Sequence, residues 1–170
     1  SQVNPHNQSL RNELGSKTAK LSNSLIGFNH SFSKREIEWD ISNSLWVENH
    51  IDEFNSNDKI ILFKHIQDFK KNLPIYNELA KSIIHNDIND NNIIISNDLL
   101  NPKIESIIDF GDSVFSQTIN DLAISCSYGI MNLNDPLSAC CDIVNGYNAI
   151  SKISDDELKI LFNLVSMRLV

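Results

Sequence analysis

The chain has 170 residues, 41% of them hydrophobic, and its 22 acidic and 14 basic side chains leave a net charge of −8. That is enough apolar material for one domain with its own core. The acidic surplus argues against partners whose recognition depends on neutralising phosphates, so neither nucleic acid nor an anionic membrane surface is expected.

The opening stretch SQVNPHNQS is polar, and residues 1–9 read as a flexible lead-in. It has no apolar signal region, and nowhere does an apolar run approach the roughly 20 residues that span a bilayer. With Cys126, Cys140 and Cys141 in neither metal nor redox spacing, a cytoplasmic protein with reduced, buried cysteines is expected. Leu10, Leu14, Leu21 and Leu25 recur at helical spacing and predict a helix ending near Gly27. An irregular segment, FNHSFSKREIEWD, follows, and a second helix is predicted at about 42–53. Residues 57–81 carry a long amphipathic pattern with Pro74 as a break or kink inside it.

The period then changes. Ser82–Ile84, Asn92–Ser96 and Ile104–Asp109 read as short strands, with Asn97, Asp98, Asn101 and Pro102 as hairpin-loop residues between the last two. After Gly111 the helical period returns at Ile119–Met131, Pro136–Ile150 and Asp155–Val170, the last headed by a Ser154/Glu157 capping box. The expected class is α+β, mainly helical, with a small β-hairpin. The five glycines are scattered, so no glycine-rich loop can cradle phosphates.

The polar run His85–Asn92 sits between two isoleucine blocks, in SIIHNDINDNNIIIS. If 93–96 and 104–109 pair as a hairpin, Asp87 and Asn92 before the first strand meet Asp109 after the second. An amide oxygen and a carboxylate are hard ligands suited to Mg²⁺, and a further carboxylate can orient or deprotonate a hydroxyl. Those are the parts a phosphoryl-transfer site needs. Taken singly, these residues have plainer readings. His85 and Asp121 read as structural supports, Asp112 divides evenly, and Trp39 reads as core packing before pocket lining.

HNDxxxxN followed by a strand, a turn and IIDFGD resembles the aminoglycoside phosphotransferase and choline kinase superfamily, which has the protein-kinase fold. INDxN together with IIDFGDSVFSQTINDLAIS, and the earlier IGFNHSFSKREIEWDI, is most similar to its hydroxylysine kinase-like branch. The resemblance runs from about Leu10 to the end. It implies that residues 10–170 form a kinase-like C-terminal lobe, with the catalytic and metal-binding loops on the hairpin. It implies Asp87 as the catalytic aspartate, Asn92 and Asp109 as ligands of Mg²⁺ on the nucleotide phosphates, and His85 and Asp121 as supports of the loop. Asp112 is placed near metal or substrate. ATP or GTP is the implied donor, and a small cationic molecule with a hydroxyl, such as an amine or amino alcohol, is the implied acceptor.

The family's phosphate-covering loop and strand lysine have no counterpart here, and the chain stops within an apolar helix, at SMRLV. The expectation is therefore a fragment, inactive in isolation, whose partner is the missing N-terminal lobe of the same polypeptide. The exposed face toward that lobe should be unusually apolar or self-associating. A non-catalytic kinase-like interaction module is the alternative, disfavoured by the intact Asp87, Asn92 and Asp109. A protein kinase is disfavoured because SVFSQT is too short for an activation loop.

Overall fold

The leucine-spaced segment forms helix α1, Gln8–Leu25, in a computed structural model that describes residues 7–98 and 100–170. Asn7 caps it by accepting from the amide of Leu10 at 2.8 Å, so the helix starts inside the stretch read as lead-in. Residues 1–6 of that stretch lie outside the described part. Gly27, with φ of +80°, turns the chain away after the helix, in a region where a side chain would be strained.

The second helical segment, Ile41–Glu53, winds as 3-10 turns, with Asp40 as its cap. Asp40 is buried, and its carboxylate accepts from Ser42, from the hydroxyl of Ser116 at 3.0 Å and from the amide of Asn120. Ser116 and Asn120 lie far from Asp40 in sequence. The cap thus satisfies a buried charge and ties the segment to the centre of the fold.

Helix α2 runs Ser56–Glu78, capped by Asn55, and continues through Pro74 without a break. Pro74 has no N–H to give to the carbonyl of Lys70, and the helix runs only about one more turn beyond it before ending at Glu78. The predicted span of 57–81 is cut short because Lys81–Ile84 becomes β1.

Among the described residues, four short strands form two antiparallel pairs. β2, Ile93–Ile95, pairs with β3, Ile104–Ile107, which is the predicted hairpin. The register shifts between Ile94 and Ile95, a bulge that leaves Glu105 without an opposite residue. β1 pairs with β4, Val114–Gln117, matching Lys81 with Gln117 and Ile84 with Val114. β4 falls within SVFSQT, which reads in sequence as the linker from the IIDFGD motif to the next helix. Its alternation of buried Val114 and Ser116 with exposed Phe115 is short, and it pairs with a strand some thirty residues upstream.

The C-terminal half is helical: α3 Asn120–Gly129, α4 Pro136–Ile150 and α5 Asp155–Leu169. α5 begins with the predicted capping box, Ser154 and Glu157 bonding each other reciprocally. α3 is buried almost throughout and forms the centre of the core with Ile143, Ile160 and Leu164. α4 packs along α1 with the backbones nearly touching at Gly15 and Gly146. Arg11 seals that seam through an ion pair with Asp142 at 2.8 Å. All three cysteines are free, but only Cys126 is buried. Cys141, exposed on α4, departs from the expectation of buried packing. No helix among the described residues is long and apolar enough to cross a membrane.

Candidate active site

The polar run after β1 is held from below by one carboxylate. Asp121, in the first turn of α3 and fully buried, accepts from the backbone amides of His85 at 3.1 Å and Asn86 at 2.9 Å. Burial pushes its carboxyl up from the usual range, and those two amides and His85 oppose the shift. The His85 ring is buried, and its Nε2 lies 2.9 Å from the carbonyl of Ile108 while Phe110 packs on its face at 4.8 Å. His85 therefore joins the loop after β1 to the segment leaving β3.

Asn86 has φ of +66°, and its side-chain amide is buried with no partner. A left-handed backbone accepts glycine freely, asparagine tolerably and other residues at a cost of roughly 1–2 kcal/mol. Asn86→Gly is expected to leave stability unchanged or raised, and Asn86→Ala to lower it by about that amount. Chemical denaturation of both variants reads the difference.

Asp87 is the centre of the loop. Its Oδ2 accepts from the side-chain amides of Asn89 and Asn92, both at 2.8 Å, and the Asn92 amide also donates to the Asp87 carbonyl. Those bonds orient Asn92 with Nδ2 toward Asp87 and leave its Oδ1 as the acceptor available to a cation. The backbone carbonyl of Asn92 accepts from the amide of Ile108 at 2.9 Å, so the chain reaches Asp109 alongside it. Asp109 is exposed, lies in the left-handed region at φ +65°, and turns its Oδ1 onto the amide of Gly111. The structure thus gathers Asp87, Asn92 and Asp109 at one end of the hairpin, with His85 and Asp121 beneath them.

Among the described residues no cluster of three His, Cys, Asp or Glu side chains forms a protein-only metal cage. The donor set is one amide oxygen and one carboxylate. It fits a hard divalent cation that keeps water and takes its remaining ligands from phosphates, as Mg²⁺ does.

A cavity of about 380 Å³ opens beside Asp87, with Glu38, Trp39, Trp46, Asp112 and Arg168 in its wall. Trp39 is half exposed there, and its indole donates to Asp112 at 3.2 Å, which replaces the expectation of core packing. Tryptophan alternates between these roles with similar sequence surroundings, and only the fold decided. Asp112 faces this cavity. Two arginines complete the surroundings and had no signal in the sequence. Arg35 donates to the carbonyls of Gly111 and Ser113. Arg168, from the last turn of α5, donates to the Oδ1 of Asp87 at 3.1 Å. On the outer surface Phe32, Phe110 and Phe115 are exposed.

The sequence pattern of the phosphotransferase enzyme (APH) family matches residues 24–139, a span that holds the whole His85–Asn92 loop and the hairpin. Hydroxylysine kinase of Xenopus laevis is 35% identical over 103 residues, covering 56% of this chain and 27% of that protein. Hydroxylysine kinase of Mus musculus is 25% identical over 169 residues, covering 92% of this chain and 44% of that protein. The chain thus spans less than half the length of the curated relatives it matches. Among solved structures, amicoumacin kinase hAmiN in complex with AMP-PNP, Ca²⁺ and Ami superposes with a TM-score of 0.64 at 16% identity, over 95% of this chain and 49% of that one. An aminoglycoside-3′-phosphotransferase of type VIII gives 0.58 at 15% identity, over 98% of this chain and 64% of that one. The mainly helical α+β arrangement is therefore that of kinase-like phosphotransferases, and the chain belongs to the phosphotransferase enzyme family.

Proposed function

We propose that this chain carries the catalytic half of a small-molecule kinase, which moves the γ-phosphoryl group of ATP or GTP to a hydroxyl of a small amine or amino alcohol. The observation that carries the reading is the bond between Asn92 and Asp87 at the mouth of a cavity, with Asp109 delivered beside them by the hairpin. Family membership supports it, as do the kinases among the relatives.

In this reading Asp87 accepts the hydrogen bond of the acceptor hydroxyl and aims its oxygen at the γ-phosphorus. Little covalent work falls to the protein, so positioning and charge neutralisation carry most of the rate. Asn92 and Asp109 would hold Mg²⁺, which supplies charge neutralisation on the phosphates. His85 and Asp121 keep the loop's backbone from shifting. Asp112 and Glu38, with Trp39 and Trp46 beside them, make a cavity wall suited to a cationic amine.

The phosphate-covering part is proposed to lie in a further lobe of the full-length protein, which would cover exposed apolar side chains such as Phe32, Phe110 and Phe115. The 170 residues alone would then bind nucleotide weakly. A cytoplasmic setting suits a nucleotide-dependent reaction. The test is transfer from labelled ATP or GTP, with Mg²⁺, by the full-length protein to hydroxylysine, choline, ethanolamine, homoserine and aminoglycosides. Transfer to at least one is expected. Tight binding of one of them with no transfer from either nucleotide would show a binding module instead.

A further inference from the structure

Asp87 is not free to rotate, and the residue that finishes its restraint lies 81 positions away. A carboxylate has about four lone-pair sites. Two on Oδ2 are taken by Asn89 and Asn92, and one on Oδ1 is taken by Arg168. That leaves one acceptor site, on Oδ1, for an incoming hydroxyl.

Arg168 is itself held. Its side chain is 6% exposed, whereas that of Asp87 is 21% exposed. Its Nη1 donates to the carbonyl of Trp39 at 2.6 Å, its Nη2 lies 3.4 Å from the Tyr128 hydroxyl, and the guanidinium sits 5.6 Å from the centre of the Tyr128 ring. A buried guanidinium with this many fixed contacts is a rigid donor and not a mobile surface charge. The same residue lines the cavity with Trp39 and Asp112, so it touches both the reacting carboxylate and the wall that would receive the acceptor.

From this geometry, and resting on the kinase reading above, we propose that Arg168 is a positioning residue for Asp87. It locks the carboxylate in the rotamer that leaves a single acceptor site facing the cavity, and it couples that rotamer to the Trp39 wall. The planar fork is needed: a lysine ammonium can pair with Asp87 but cannot also span the Trp39 carbonyl with the same fixed spacing.

The experiment uses the full-length enzyme with Arg168→Met and Arg168→Lys, and Asp87→Asn as reference. A misplacement of about 1 Å at a reacting group lowers rate on the order of 100-fold. The expected result is a fall in kcat of that order for Arg168→Met, with KM for the nucleotide unchanged, partial activity in Arg168→Lys, and recovery of Arg168→Met on adding guanidinium or ethylguanidinium at low concentration. Circular dichroism at the assay temperature checks that each variant is folded. If kcat of folded Arg168→Met is normal while Asp87→Asn is inactive, the positioning role fails and the kinase reading stands. If kcat falls but neither guanidinium nor Arg168→Lys restores any of it, Arg168 is merely structural and the inference also fails. Turnover indifferent to Asp87→Asn overturns both.

Discussion

Asp87→Asn in the full-length protein is expected to lower kcat about 100- to 10,000-fold, the range over which a positioned acid–base group contributes. The substitution keeps the size of the side chain but exchanges one acceptor oxygen for an amide. That amide would face either the Arg168 guanidinium or the amides of Asn89 and Asn92, all of them donors. A steady-state assay of phosphoryl transfer with saturating nucleotide reads the effect, and near-normal turnover would remove Asp87 from the catalytic role. The structure also changes what such a variant does to folding. A loop carboxylate taken alone would be silent in stability, whereas this one is paired with a guanidinium shielded from water. Leaving a buried donor without its acceptor costs about 1–3 kcal/mol. Asp87→Asn is therefore expected to be less stable as well as less active, and unfolding curves must accompany the kinetics.

The second large effect lies far from the site. Gly146→Ala is expected to destabilise the protein by about 3 kcal/mol or more, the upper end of what overpacking costs. A β-carbon there would overlap the carbonyl oxygen of Asn12 and lie 2.7 Å from its carbonyl carbon. Both are backbone atoms of α1, and no side-chain rotation can relieve the clash. The reverse contact is equally tight, because a β-carbon on Gly15 would overlap the carbonyl oxygen of Ile143 and lie 2.7 Å from the amide nitrogen of Tyr147. At roughly 2–4 °C per kcal/mol for a chain of this size, the midpoint should fall by about 6–12 °C. Gly111→Ala is a useful contrast, since its new β-carbon would meet only the side-chain oxygen of Asp109. A midpoint for Gly146→Ala within a degree of the parent would show that the two helices can part at little cost.

Much of this molecule follows from local pattern. The leucine spacing of α1, the Ser154 capping box, Pro136 at the start of α4 and the turn residues between β2 and β3 each act within a few positions of themselves. So does the polar run itself. His85, Asp87 and Asn92 sit close in sequence, and their mutual bonds span two or five residues. The hairpin reading added Asp109 to them, and the family resemblance implied Asp121 as the support of the loop.

What local pattern left out has one physical character: it depends on partners brought together by folding. β4 is too short to be recognised without β1, and a hydrogen-bond ladder exists only once both strands are placed. The buried Asp40, satisfied by Ser116 and Asn120, reads in sequence as an ordinary surface acid before a helix. Trp39 moved from core to cavity wall for the same reason, since its surroundings come from Asp112 and α5. The sequence by itself determined the helices, the hairpin and the identity of the loop that carries Asp87 and Asn92. Only the tertiary structure decided which cation meets Asp87, because Arg168 reaches it from the far end of the chain and a bond of that kind leaves no local trace.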